Sequence, residues 1–307
     1  MITSVFGKSK PINFILCSGI VLIYFVIYLF SGDKEVGVDM LTLQVPILFL
    51  LLFSLFMVDF IVKKNDLTQQ NDYALLIVTL FIGFFPNIFE HLTIVFIHVF
   101  LLLAFRRVIS LRSLHSVKQK LFDASMYITI ALLFDSWIVL YLLIVYIGII
   151  LYVSSDYRNW LVPFVGFFSI TIIYLSYIYF TDKNILTNPL FQFDLKIEYP
   201  LENYKQIALH SLITLLFCIN IVIFFLKIKT YSSQKRNSFL LTNVLFFIGI
   251  TYILFAKNNT YNTEILLLFP LGISTANVLE NIENKRIGNI LLVLLMIVSF
   301  GFNFYLK

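Results

Sequence analysis

Apolar runs recur along the whole chain, each closed by a short polar or charged stretch. Eleven can be marked: 11–30, 41–62, 73–85, 92–105, 121–134, 137–153, 160–180, 207–226, 239–256, 265–279 and 287–306. A helix needs roughly 17–25 apolar residues to cross a bilayer, and shorter runs belong to re-entrant or interfacial pieces. The pairs 73–105 and 121–153, broken at Pro86–His91 and at Asp135-Ser136, therefore read as two short crossings each or as one hairpin that dips in and returns. The total is eleven, nine or seven, with the same parity in every case. Eleven is favoured, because buried neighbours can cover short helices. A transmembrane barrel would show strands of alternating polarity, so it is excluded. The fold class expected is all-α: a polytopic integral membrane helix bundle forming one domain, residues 1–307. No internal repeat shows at a fixed period.

Composition agrees with this pattern. The chain is 60% hydrophobic and 13% charged, against about 25% charged in soluble domains. A net charge of +5 would suit a nucleic-acid partner, but the cations sit in short loops between apolar runs, where they report orientation instead. With the N-terminus inside, only Lys34, Lys183, Lys196, Lys205, Lys257 and Lys307 of the 22 lysines and arginines fall outside. The expectation is N-terminus in and C-terminus out. The first apolar run has basic residues before it but no small-residue cleavage site, so it reads as a retained span. Cys17 and Cys218 both lie in apolar runs and read as buried small side chains. The stretch 181–206, with Pro189, Phe191, Phe193 and Tyr199, reads as an interfacial piece on the outer side, and Asn258-Asn259-Thr260 as an accidental sequon. No nucleotide-binding loop, serine-hydrolase elbow or zinc-protease motif is present.

Ionisable residues in or near apolar runs are costly in hydrocarbon, which makes each a candidate for function. Asp59 precedes Lys63 by one helical turn and reads as an ion pair. Asp123 follows Lys120 at a helix start, where negative charge is favourable. Glu90 and His91 in the first break and Asp135 in the second would line an outer recess. Carboxylates there suit general-base work or a metal, and His91 suits a phosphate; no metal site is assigned. His98 reads as a packed core residue. Arg106 and Arg107 open a basic loop running to Lys120 that suits lipid phosphates or a lipid-linked substrate.

Through LLLAFRRVISLRSLHSVKQKLFDASMYITIALLF and DYRNWLVPFVGFF the chain resembles an uncharacterised family of multi-spanning Bacteroidota proteins known only as a domain of unknown function. Its layout is also similar to that of the polyprenyl-phosphate-sugar glycosyltransferases. That likeness implies a catalytic acid in the first outer loop, where Asp33 and Glu35 stand. Glu90, His91 and Asp135 would then support binding of a polyprenyl-linked glycan at the outer face of a bacterial inner membrane, in envelope biogenesis, with Arg106 and Arg107 binding the lipid-linked substrate from the cytoplasmic side. The competing expectation is a non-catalytic membrane subunit or transport component of an envelope assembly. Membrane lipid is the expected partner in both, with further membrane subunits unspecified. No cofactor is assigned.

Overall fold

The structure, a computed structural model, describes residues 2–31, 38–181, 211, 214, 215, 218, 221, 222, 232–255, 263–282 and 284–305. Asp33, Glu35, the 182–206 loop, most of the 207–226 run and Asn258-Asn259-Thr260 lie outside the described residues. The described elements are helical. They are α1 (Ile2–Phe6), α2 (Pro11–Ser31), α3 (Val38–Lys64), α4 (Tyr73–Ile82), α5 (Leu92–Ile109) and α6 (Val117–Leu132). Then follow α7 (Leu142–Tyr152), α8 (Arg158–Phe180), α9 (Ser233–Phe255), α10 (Leu268–Glu280) and α11 (Lys285–Tyr305). Seven stretches among the described residues are long and apolar enough to cross a membrane: Pro11–Phe30, Leu41–Lys64, Leu92–Ser113, Arg158–Phe180, Lys235–Phe255, Thr263–Glu280 and Lys285–Asn303. The expected runs 73–85, 121–134 and 137–153 form shorter helices.

The chain divides into two compact units. The first comprises Met1–Val95, Tyr199–Lys235 and Tyr261–Lys307, and the second Phe96–Glu198 and Arg236–Thr260. In the first unit α4 is the central element. Every residue from Ala74 to Ile82 is buried, as expected of a helix that is apolar all round and surrounded by others. It packs on α10, where a side chain at Gly272 would collide with Val78. Small residues at such crossings let helix backbones approach, which is how helices associate in lipid. In the second unit α6 packs chiefly on α8, with Gly166 against Ser125 and Phe122. The outer faces of α8 and α11 carry exposed Phe164, Phe168, Ile173, Ile290, Leu294 and Ile297, the surface that hydrocarbon covers.

The physical reason for the first break is local. Pro86 forces Phe85 out of the helical region (φ −121°, ψ 68°) and starts the 3₁₀ turn Pro86–Glu90. In lipid, the carbonyls at the end of α4 need donors; Leu80 has the Gly83 amide, and α11 adds side-chain donors. Ser299 Oγ donates to the Leu80 carbonyl at 2.6 Å and Asn303 Nδ2 to the Gly83 carbonyl at 2.5 Å. Because the serine proton is so engaged, the Tyr24 hydroxyl donates to Ser299 Oγ at 2.7 Å. At the second break, Asp135 is extended and accepts from the Trp137 amide at 2.9 Å, capping the 3₁₀ turn Ser136–Tyr141.

A repeat emerges that the sequence pattern concealed. The stretch from α4 into α5 and the stretch from α6 into α7 share one order: helix, tight turn, 3₁₀ turn, helix. Corresponding residues stand fifty positions apart, with Ala74 and Ala124, Thr79 and Thr129, Ile88 and Ile138, and Val95 and Val145 in register. Both threonine hydroxyls donate to the carbonyl four residues back at 2.8 Å, and both isoleucines are fully buried. Thr263–Leu267 forms a similar 3₁₀ lead-in to α10.

Candidate functional site

The first break carries the most accessible of the described candidate acids. Glu90 closes the Pro86–Glu90 turn with its side chain exposed, and His91 follows it half-buried. Two residues from neighbouring helices fix Glu90. The Tyr28 hydroxyl, near the end of α2, donates to Glu90 Oε1 at 2.9 Å, and Gln44 Nε2 of α3 donates to the Tyr28 oxygen at 3.0 Å. The tyrosine has a single proton and gives it to the carboxylate. The Gln44 amide must therefore turn its NH₂ toward Tyr28, which leaves Gln44 Oε1 buried without a donor. The residue is only 5% exposed, so this acceptor is closed off from solvent. A buried acceptor without a donor costs on the order of 1–3 kcal/mol.

Asp135, in the second unit, is 9% exposed. Its Oδ1 takes the Trp137 amide and its Oδ2 the Tyr252 hydroxyl of α9, the latter at 2.8 Å. Burial pushes its carboxyl above the ordinary carboxylate range, and the two donors oppose that shift. Trp137 stacks on Phe255, and Tyr141 sits edge-on to Tyr252 with its own hydroxyl buried and unpartnered. Each break thus carries an acid held by a tyrosine from a helix distant in sequence.

Arg106 and Arg107 are half-buried in the last turn of α5, and Arg107 pairs with Asp123 at 2.9 Å. The partner expected for Asp123 was Lys120. That lysine instead donates to the Ser110 carbonyl and Ser113 Oγ, both at 2.7 Å, because the preceding loop folds back over the start of α6. Asp123 and Asp135 stand near opposite ends of α6, on the order of 18 Å apart at 1.5 Å per residue. The arginines and Asp135 are therefore not brought together. Lys63 reaches Asp59 at 2.6 Å, as the spacing predicts, and also Asp72 at 3.1 Å. His98 is buried. Cys17 is buried, whereas Cys218 is exposed. Among the described residues, no three His, Cys, Asp or Glu side chains converge as a metal site would require.

Tyr28, Gln44 and Tyr252 escaped the sequence reading. Gln44 alone left a trace, as an amide inside an apolar run. Tyrosines near helix ends usually mark membrane interfaces, and nothing local distinguishes one that holds an acid.

These features define a helical membrane protein with interrupted hairpins and a tyrosine-held carboxylate at an exposed turn. The chain belongs to a family of unknown function, DUF6427, whose model matches residues 7–307. No curated protein and no solved structure matches it.

Proposed function

We propose that this chain is an inner-membrane enzyme of envelope biogenesis, crossing eleven times with its N-terminus inside. In this reading it acts in the manner of a glycosyltransferase on a polyprenyl-linked glycan at the outer face. The observation that carries the reading is Glu90, an exposed carboxylate fixed by Tyr28 and Gln44. Those two residues stand on the helices that flank Asp33 and Glu35 in the chain. A general base must be accessible yet held in place, and Glu90 meets both conditions. Asp33 and Glu35 supply further acids to the same side. His91, next in the chain, is a supporting polar group, and Arg106 and Arg107 bind lipid phosphates on the cytoplasmic side.

One observation favours the second reading, a non-catalytic membrane subunit. Asp72 and Asp135, the two buried acids described, are both engaged by protein donors and serve the fold. Complementation of a deletion strain separates the readings. Asp33→Asn, Glu35→Gln and Glu90→Gln should each insert at wild-type level, since they alter solvent-side groups. Conversion of the polyprenyl-linked glycan should fall about 10²-fold or more in at least one, the usual contribution of a positioned base. Wild-type conversion in all three would overturn the enzyme reading in favour of the subunit.

A further inference from the structure

Within the first unit, α4, α10 and α11 leave a cavity of about 330 Å³ between them. Ile77 lines it from α4, Phe84 from the turn that follows α4, Thr275 from α10, Leu291 and Val298 from α11, and Leu215 of the 207–226 run also borders it. Its lining is almost wholly apolar and holds no free hydrogen-bond donor for a guest. Thr275 is the one hydroxyl in the lining, and it is occupied by the Leu271 and Gly272 carbonyls at 2.8 and 3.2 Å. Water needs two or more polar partners to enter such a space, so hydrocarbon is the compatible occupant. Leu291 is 43% exposed and Leu294, also in the lining, 56%. The cavity therefore opens sideways through the face of α11 that lipid covers. Leu291 and Val298 stand seven residues apart, which is about 10 Å along a helix. That length suits a single extended chain.

A lipid tail gains little by exchanging one hydrocarbon surface for another. A chain stays in this cavity only if its head group is held elsewhere, and Phe84 stands six positions before Glu90 in the same break. We propose that the cavity holds the hydrocarbon chain of the lipid-linked substrate while the Glu90 turn takes its head, an inference that rests on the function proposed above.

Photolabelling of the full chain in nanodiscs tests this. One probe is geranylgeranyl phosphate with a diazirine in its chain, and the other is phosphatidylglycerol with a diazirine in one acyl tail. The isoprenyl probe should mark the α11 peptide containing residues 291–298. Val298→Trp and Ile77→Phe, which fill the cavity, should each reduce that labelling about tenfold. Ile297→Trp, on the lipid-covered face, should not. Folding of each variant is checked by helical circular dichroism and a single gel-filtration peak, and one folded filler variant suffices. Equal marking by phosphatidylglycerol, or marking that both fillers leave intact, overturns the proposal and makes the cavity ordinary lipid contact. The labelling does not require turnover. A labelled cavity beside fully active Glu90→Gln protein rejects the catalytic reading alone, and an unlabelled cavity beside inactive Glu90→Gln protein rejects this inference alone.

Discussion

Asp72→Ala is expected to be among the most destabilising single substitutions in the chain. The Asp72 side chain is wholly buried where α1, α2, α3 and the start of α4 meet. It accepts from Ser9 Oγ and the Lys10 amide, both at 3.0 Å, from Asn13 Nδ2 at 2.6 Å, and pairs with Lys63 at 3.1 Å. Removing the acid takes the acceptor from Ser9 and the Lys10 amide, leaves Asn13 only the Val5 and Lys8 carbonyls, and takes one of two counter-charges from Lys63. Hydrogen bonds to a charged group contribute about 1.5–3 kcal/mol each, and the acid makes three. Asp72→Asn keeps the shape without the charge and should lose less. The check is the thermal unfolding midpoint in detergent, ordered wild type, Asn, then Ala. An alanine variant that melts with wild type would show that this cluster does not hold the N-terminal segment.

The same cluster shows what could be read from the sequence and what could not. The Asp59–Lys63 pair was legible because one helical turn brings those residues together whatever the fold. Asp72 was not, since its donors Ser9, Lys10 and Asn13 lie about sixty positions earlier and meet it only after packing. Asp123 taught the same lesson in reverse: the near neighbour Lys120 was the obvious partner, and tertiary structure delivered Arg107 instead. The breaks themselves were visible from Pro86 and Asp135. Their supports were not, because Ser299, Asn303 and Tyr252 sit in or beside apolar runs and carry no local signature. The fifty-residue repeat was hidden because the shared residues are mostly small or β-branched apolar types, which recur throughout a membrane chain by chance. Of the candidate site, Glu90 and His91 were named from their place in a break, while Tyr28 and Gln44 needed the fold.

Gly83→Val should be comparably damaging, for a different reason. The backbone at Gly83 is ordinary helix (φ −65°), so the requirement is space. A Cβ there would strike Ser299 Oγ and approach the Tyr24 hydroxyl oxygen to 2.8 Å. Forcing extra carbons into a packed site costs about 1–3 kcal/mol. Displacing α11 also strips the Asn303 donor from the Gly83 carbonyl, at about 1–3 kcal/mol if it stays buried and unmet, while the Leu80 carbonyl keeps the Gly83 amide. The expected result is loss of most monodisperse protein on gel filtration after detergent extraction, with Gly83→Ala intermediate. Asn303→Leu, which removes one donor while leaving the space, should be milder than valine. Valine protein that elutes and melts like wild type would mean α11 does not close this break.

The central claim is that the Glu90 turn faces the outer side and is open to water there. Cysteine labelling tests it most directly, in a Cys218→Ser background with Cys17 retained because it is buried. Asn87 is exposed in the turn, and Ser113 is exposed in the basic loop. With the outer barrier permeabilised and the cytoplasmic membrane intact, a membrane-impermeant maleimide should label Asn87→Cys at once. It should label Ser113→Cys only after lysis. Labelling of Ser113→Cys in intact cells, with Asn87→Cys protected until lysis, would place the turn on the cytoplasmic side and contradict the account.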